Sequence, residues 1–248
     1  MNMSQDFLLS IEGLTVSFDG FKAVNDLSLY VDEGEIRVII GPNGAGKTTV
    51  LDLICGKTRA SSGSIKFRGK ELTRLREHAI VHAGVGRKFQ NPSIYDDLTV
   101  FENLEISFPR GHSVFGALAF KRDAEVIQSV EETAAMIFLQ DSLYKTAGLL
   151  SHGQKQWLEI GMLLIQKPKL LMLDEPVAGM SIAERKQTAE LLHRITKNHS
   201  VLVVEHDMQF VEDIADRVTV MHQGKVLSEG SMEKVKNDPK VKEVYLGH

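Results

Sequence analysis

Gly41-Pro42-Asn43-Gly44-Ala45-Gly46-Lys47-Thr48-Thr49 follows the apolar run Ile36-Arg37-Val38-Ile39-Ile40. It precedes Val50-Leu51-Asp52-Leu53-Ile54-Cys55, whose apolar residues have helical spacing. Strand, glycine-rich loop and helix in that order is the setting that the pattern G-x-x-x-x-G-K-[ST] requires. Gly41, Gly44 and Gly46 let the backbone turn tightly, so that successive N–H groups converge on one point. That point lies at a helix N-terminus, where the dipole and the free N–H groups favour an anion. The stretch is therefore expected to cradle the phosphates of a nucleotide. Lys47 would reach the β- and γ-phosphates, and the Thr48 hydroxyl would be a ligand of Mg²⁺.

Working outward, the 248 residues suffice for one large domain, or one domain with a lobe. Hydrophobic residues make up 43% and charged residues 25%, the composition of a globular protein with a core of its own. The 29 basic residues against 33 acidic ones give a net charge of −4, which argues against nucleic acid as a partner. Cys55 is the only cysteine, so no intrachain disulfide is possible and a reducing compartment fits. Residues 1–6 are polar and show no signal-peptide pattern, and no apolar run approaches membrane-spanning length. Any work at a membrane would go through a partner, from the cytoplasmic side.

Residues 7–18 alternate and read as a strand. Residues 27–31 and 36–40 flank Asp32-Glu33-Gly34-Glu35, which reads as a hairpin turn. Phe18 reads, from pattern alone, as a core residue. Residues 85–90 read as a strand ending on Gln90, and Asn91-Pro92 breaks it. Over 98–164 the period becomes helical, with a helix expected at 123–139 and a loop at 111–120. The core resumes at Leu170-Leu171-Met172-Leu173-Asp174-Glu175, a buried strand that delivers carboxylates to a sheet edge. A helix is expected at 182–195 and a strand at 200–207, the latter carrying His206. A hairpin turns at His222-Gln223-Gly224, and short helices over 231–246 are broken by Pro239. The chain thus reads as one domain, 1–248. Its core comprises 1–90 and 165–248, and a helical lobe of about 91–164 is inserted into it.

Adjacent strand residues face opposite ways, so Asp174 can hold the water shell of a metal while Glu175 polarises a water at a γ-phosphate. Gln90 and His206 each end a strand of the same core. The glutamine amide can sense the metal and the attacking water, and the histidine can hydrogen-bond the γ-phosphate. Leu150-Ser151-His152-Gly153-Gln154-Lys155-Gln156 opens a strong helix, and a serine and a glycine at a helix start make a second anion site. Two such starts, one far from the metal site, suggest that the second serves a nucleotide held by another chain.

The order of phosphate loop, Gln90, residues 150–156, the acidic strand and then His206 resembles the ATP-binding subunit of ABC transporters over nearly the whole chain. The resemblance implies an α/β P-loop NTPase (RecA-like) core with an antiparallel β subdomain and an inserted α-helical subdomain. It makes ATP and Mg²⁺ the cofactors and Phe18 the aromatic that stacks on adenine. Catalysis would fall to Glu175, His206 and Gln90, and metal binding to Thr48, Gln90 and Asp174. It also implies that Ser151, Gly153 and Gln154 contact the nucleotide of a second ATPase subunit, identical or not. Transmembrane permease subunits would be the direct partners and an external substrate-binding protein an indirect one. That places the chain on the cytoplasmic face of the membrane of a bacterium.

Two residues depart from the family pattern: His152 stands where a glycine is usual, and Ser181 where an aspartate usually crosses the dimer interface. Gly86-Arg87-Lys88-Phe89-Gln90 and residues 179–181 resemble the branched-chain amino acid importers. Residues 149–164 look most like the urea-importer ATPase of that group, which implies urea or short amides as cargo, with branched-chain amino acids the alternative. Two other classes compete: a phosphate-loop kinase or GTPase, and an ABC-type protein without a permease. The first has no use for residues 150–156, and the second usually carries tandem domains or long insertions.

Overall fold

The computed structural model describes residues 7–88, 94–109 and 122–246. In chain order the elements begin with β1 (Leu9–Phe18), β2 (Phe21–Val31), β3 (Ile36–Ile40), α1 (Lys47–Ile54), β4 (Ser62–Phe67), β5 (Lys70–Glu71), α2 (Glu77–Ala83) and β6 (Val85–Arg87). Then come α3 (Val100–Ile106), α4 (Ala124–Met136), α5 (His152–Leu164), β7 (Leu170–Asp174), α6 (Ile182–Ile195) and β8 (Ser200–Val204). The chain closes with α7 (Met208–Ile214), β9 (Arg217–His222), β10 (Lys225–Gly230), α8 (Met232–Asn237) and α9 (Pro239–Leu246). Pro239 opens α9 rather than merely interrupting a helix, a position where its missing N–H costs nothing.

The described residues fall into two compact units. The first comprises residues 1–87, 169–175 and 195–248, and the second comprises 88–168 and 176–194. The sequence reading drew the helical part as about 91–164; residues 176–194, which follow the acidic strand, group with the second unit as well.

The first unit holds two sheets. Strands β2-β1-β4-β5 form an antiparallel sheet, and β10-β9-β3-β8-β7-β6 form a six-stranded one in which only β10 runs antiparallel to its neighbour. β3, β7 and β8 are buried at every position, so their continuous apolar runs suit the middle of a parallel sheet covered on both faces. One core serves both sheets: Leu9, Ile11 and Leu14 of β1 cluster with Val50, Leu51 and Ile54 of α1 and with Leu170, Met172 and Leu202.

Arg37 interrupts the apolar run of β3 and is fully buried. Its Nε donates to Glu35 Oε1 at 2.7 Å and its Nη2 to the Tyr30 carbonyl at 2.6 Å, while Nη1 lies 2.8 Å from Glu229 Oε2. A buried charge needs such a full set of partners.

The hairpin expected across residues 32–35 does not form. β2 pairs with β1, whereas β3 pairs with β8 and β9, so residues 32–35 carry the chain from one sheet to the other. The half-buried alternation of β2 suits the antiparallel sheet, whereas β3, buried at every position, needs cover on both faces. The hairpin lies one step earlier, at Asp19-Gly20, where φ values of 48° and 88° meet the demand of a two-residue turn for left-handed backbone.

The second unit is helical. Thr99, Asp123 and Ser151 cap α3, α4 and α5 through their side-chain oxygens, and Thr99 and Ser151 complete capping boxes with Glu102 and Gln154. α5 packs through Trp157, whose Nε1 donates to Thr188 Oγ1 of α6 at 2.9 Å while Phe138 meets its ring edge-on. Lys88 and Glu159, both of this unit, form a buried ion pair at 3.2 Å.

Candidate functional site

β3, β8 and β7 are neighbours and run parallel, so their carboxyl ends open side by side. Gly41 follows β3, Glu175 follows β7, and Glu205 and His206 follow β8. The phosphate-loop residues Gly41, Pro42, Asn43, Gly44, Ala45, Gly46, Lys47, Thr48 and Thr49 lead from β3 into α1. Gly46 adopts φ 98°, and a Cβ there would lie 2.3 Å from the Ala23 carbonyl oxygen, so only glycine fits. Gly44 adopts φ 79° with open space where a Cβ would point, which leaves its backbone free for a ligand to approach. Lys47 Nζ donates to the carbonyls of Gly41 at 2.8 Å and Pro42 at 3.1 Å. Burial lowers the pKa of Lys47, while Glu175 and Asp174 pull it back up.

Asp174, the last residue of β7, is 3% exposed. Burial pushes its carboxyl above the usual carboxylate range, against the Thr48 hydroxyl and the Arg87 guanidinium, which pull it down. Neither buried oxygen has a full hydrogen bond, and Arg87 Nη2 stands 4.0 Å away. A buried carboxylate so poorly satisfied, facing a threonine hydroxyl, is a fitting donor set for a hard divalent cation.

Glu175 lies just beyond the strand at φ 48°, and its backbone N–H is held by the Val204 carbonyl at 2.9 Å. This left-handed turn swings its half-exposed carboxylate away from the strand, to 3.3 Å from Nδ1 of His206. His206 is 63% exposed at the side chain, and its backbone N–H donates to Glu205 Oε2 at 2.8 Å. Phe18 ends β1 and is 48% exposed, so the core position read from pattern is corrected: its ring is open to solvent at the hairpin. Gln90 lies outside the described residues.

Ser151, Gly153 and Gln154 belong to the second unit. Ser151 Oγ accepts from the Gln154 N–H at 3.2 Å and faces Glu184 Oε1 at 3.1 Å. His152 is accommodated by turning its ring onto residues 178–179: Nε2 lies 3.0 Å from the Ala178 carbonyl and packs against Gly179. Ser181 caps the start of α6, its Oγ accepting from the Glu184 N–H at 3.3 Å, and Glu184 Oε2 accepts from the Ser181 N–H at 2.9 Å.

Sequence reasoning did not single out two residues here. Arg87 Nη1 donates to Asp52 Oδ1 of α1 at 2.6 Å and to Cys55 Sγ at 3.2 Å, so it braces α1 beside Asp174. A charged residue in a short strand was its only signal. Glu184 was legible as the fourth residue of Ser181-Ile182-Ala183-Glu184, a capping-box pattern.

Comparison with known proteins gives a consistent set of relatives. The ABC transporter family matches residues 24–178, and the family of branched-chain amino acid ATP-binding cassette transporters matches residues 225–248. The high-affinity branched-chain amino acid transport ATP-binding protein BraF of Pseudomonas aeruginosa is 35% identical, over 97% of this chain and 98% of its own. The corresponding protein LivG of Salmonella typhimurium is 37% identical over 99% of both. Among solved structures, the ADP conformation of an ATP-binding cassette of an ABC transporter superposes with a TM-score of 0.86 at 32% identity, covering 98% of this chain and 99% of that one.

Proposed function

The chain belongs to the ABC transporter family of ATP-binding subunits, and on that premise we propose that it is the ATP-hydrolysing motor of an importer, docked on the cytoplasmic face of a membrane against permease subunits. The observation that carries this reading is the convergence of Lys47, Thr48, Asp174, Glu175 and His206 on the carboxyl ends of three adjacent parallel strands. Residues 41–49 hold the phosphates and Phe18 stacks on the adenine. Glu175 accepts a proton from the attacking water, His206 contacts the γ-phosphate, and Gln90 senses it. Thr48, Asp174 and Gln90 are the residues that would hold Mg²⁺, which supplies charge neutralisation at the β- and γ-phosphates.

A second ATPase subunit, a copy of this chain or a different one, completes the site with its equivalents of Ser151, Gly153 and Gln154. Only ATP offers the phosphate that bridges both subunits, so ATP closes the pair and hydrolysis reopens it. An external binding protein would hand cargo to the permease. The cargo we favour is a branched-chain amino acid, because relatives named for that transport align over almost the full length and a family of that name matches residues 225–248. Urea or a short amide is the second reading, carried by the likeness of residues 149–164 to urea importers.

Sedimentation of the Glu175→Gln protein tests the composite site. A dimer formed with Mg-ATP, absent with ADP and lost on adding Ser151→Arg is the expected result. A monomer under every condition would overturn self-association, and repeating the run with candidate partner subunits would then decide whether another chain completes the site.

A further inference from the structure

Ser151 has one hydroxyl proton, and Glu184 Oε1 lies 3.1 Å from its oxygen. Because Ser151 Oγ already accepts from the Gln154 N–H, the proton points at the carboxylate. The same carboxylate roofs Gly153: a Cβ built there would lie 2.4 Å from Oε1. A negative group thus rests against the two residues through which the proposed reading brings α5 to a partner's phosphate. The other oxygen, Oε2, is engaged separately by the N–H of Ser181 at 2.9 Å and its hydroxyl at 2.8 Å. Releasing Ser151 would therefore leave the cap of α6 intact. His152 holds the same neighbourhood together through its 3.0 Å contact with the Ala178 carbonyl.

We propose that Glu184 is a positioning residue of the composite site: its carboxylate accepts the Ser151 hydroxyl hydrogen bond, and the hydroxyl must turn from Glu184 to donate to the γ-phosphate of a nucleotide bound to the opposing subunit. The contact opposes closure in two ways. The hydroxyl has a single proton, so a bond to phosphate is made only by breaking the one to Glu184. The carboxylate and the phosphate also carry like charge, which disfavours their approach. Closure then requires the phosphate to outcompete an internal anion, and a weaker ligand than ATP leaves the contact in place. This inference rests on the reading of residues 151–154 as the partner's phosphate contact.

Glu184→Gln tests it, since glutamine keeps an oxygen for the Ser181 cap but removes the charge. In the Glu175→Gln background with Mg-ATP, the dimer dissociation constant, read by sedimentation, is expected to fall about fivefold, the scale of one net hydrogen bond no longer surrendered. Adding Ser151→Ala should abolish that gain, a coupling that a purely structural role in capping α6 would not produce. The thermal midpoint of the nucleotide-free protein should stay within a few degrees of the parent. An unchanged or weaker dimer in Glu184→Gln, or a gain that persists with Ser151→Ala, overturns the role of Glu184 while leaving the composite site standing. If the Glu175→Gln parent forms no ATP dimer with itself or with its partner subunit, the underlying reading fails instead.

Discussion

Glu175 spends conformational energy to stand where it does. A glutamate at φ 48° costs about 1 kcal/mol or more relative to extended backbone, and the N–H bond to Val204 holds it there. Glu175→Gln should lower ATP turnover at least about 100-fold, the scale of a lost general base, with nucleotide affinity retained; a steady-state assay beside equilibrium binding reads both. Phe18 is exposed at a strand end, and Phe18→Ala should raise the dissociation constant for ATP about tenfold, as expected for one lost base stack. Fluorescent-nucleotide titration measures it, and an unchanged constant would place the adenine elsewhere.

The Glu184 carboxyl is shifted in the opposite direction from that of Asp174. The Ser181 N–H and then its hydroxyl hold the Glu184 carboxyl below the usual carboxylate range, with Ser151 and His152 adding to the effect. A depressed folded-state pKa contributes stability above the unfolded value, and that contribution is lost as pH falls through the folded one. Denaturant unfolding of the native protein and Glu184→Gln should therefore differ near neutrality and converge as the medium becomes acid enough to protonate Glu184.

At the scale of elements, the legible features were those with a local cause. The loop from β3 into α1 was readable because glycine spacing and the flanking apolar runs are local properties. Gly46→Ala should destabilise the fold by about 2 kcal/mol or more, since the new methyl meets the Ala23 carbonyl and left-handed backbone is strained for alanine; urea unfolding would show it. The turn at residues 32–35 was misjudged because Gly34 looks like hairpin chemistry, whereas the partner of β3 is chosen by strands more than 150 residues away in sequence. Lys88 and Glu159 were equally illegible as a pair, being 71 residues apart. Lys88→Met should cost about 3–5 kcal/mol by stripping a buried carboxylate of its cation, and Lys88→Met with Glu159→Leu should recover much of it.

At the scale of the molecule, no helix among the described residues is long and apolar enough to cross a membrane. On the reading proposed above, association with a membrane comes through permease subunits. The chain should sediment with membranes when coexpressed with permease subunits of its group and remain in the soluble fraction without them. Loss of the fractionation difference would count against an importer role.

Alone, the sequence determined the glycine-rich loop between β3 and α1, the buried acidic strand and the serine-capped helix, because each follows from short-range rules of turn geometry, burial and capping. Tertiary structure decided which strands are neighbours, that Phe18 faces solvent, that Arg87 stands by Asp174, and that Glu184 meets Ser151. Those facts depend on contacts between residues far apart in the chain, where the free energy of packing outweighs local preference.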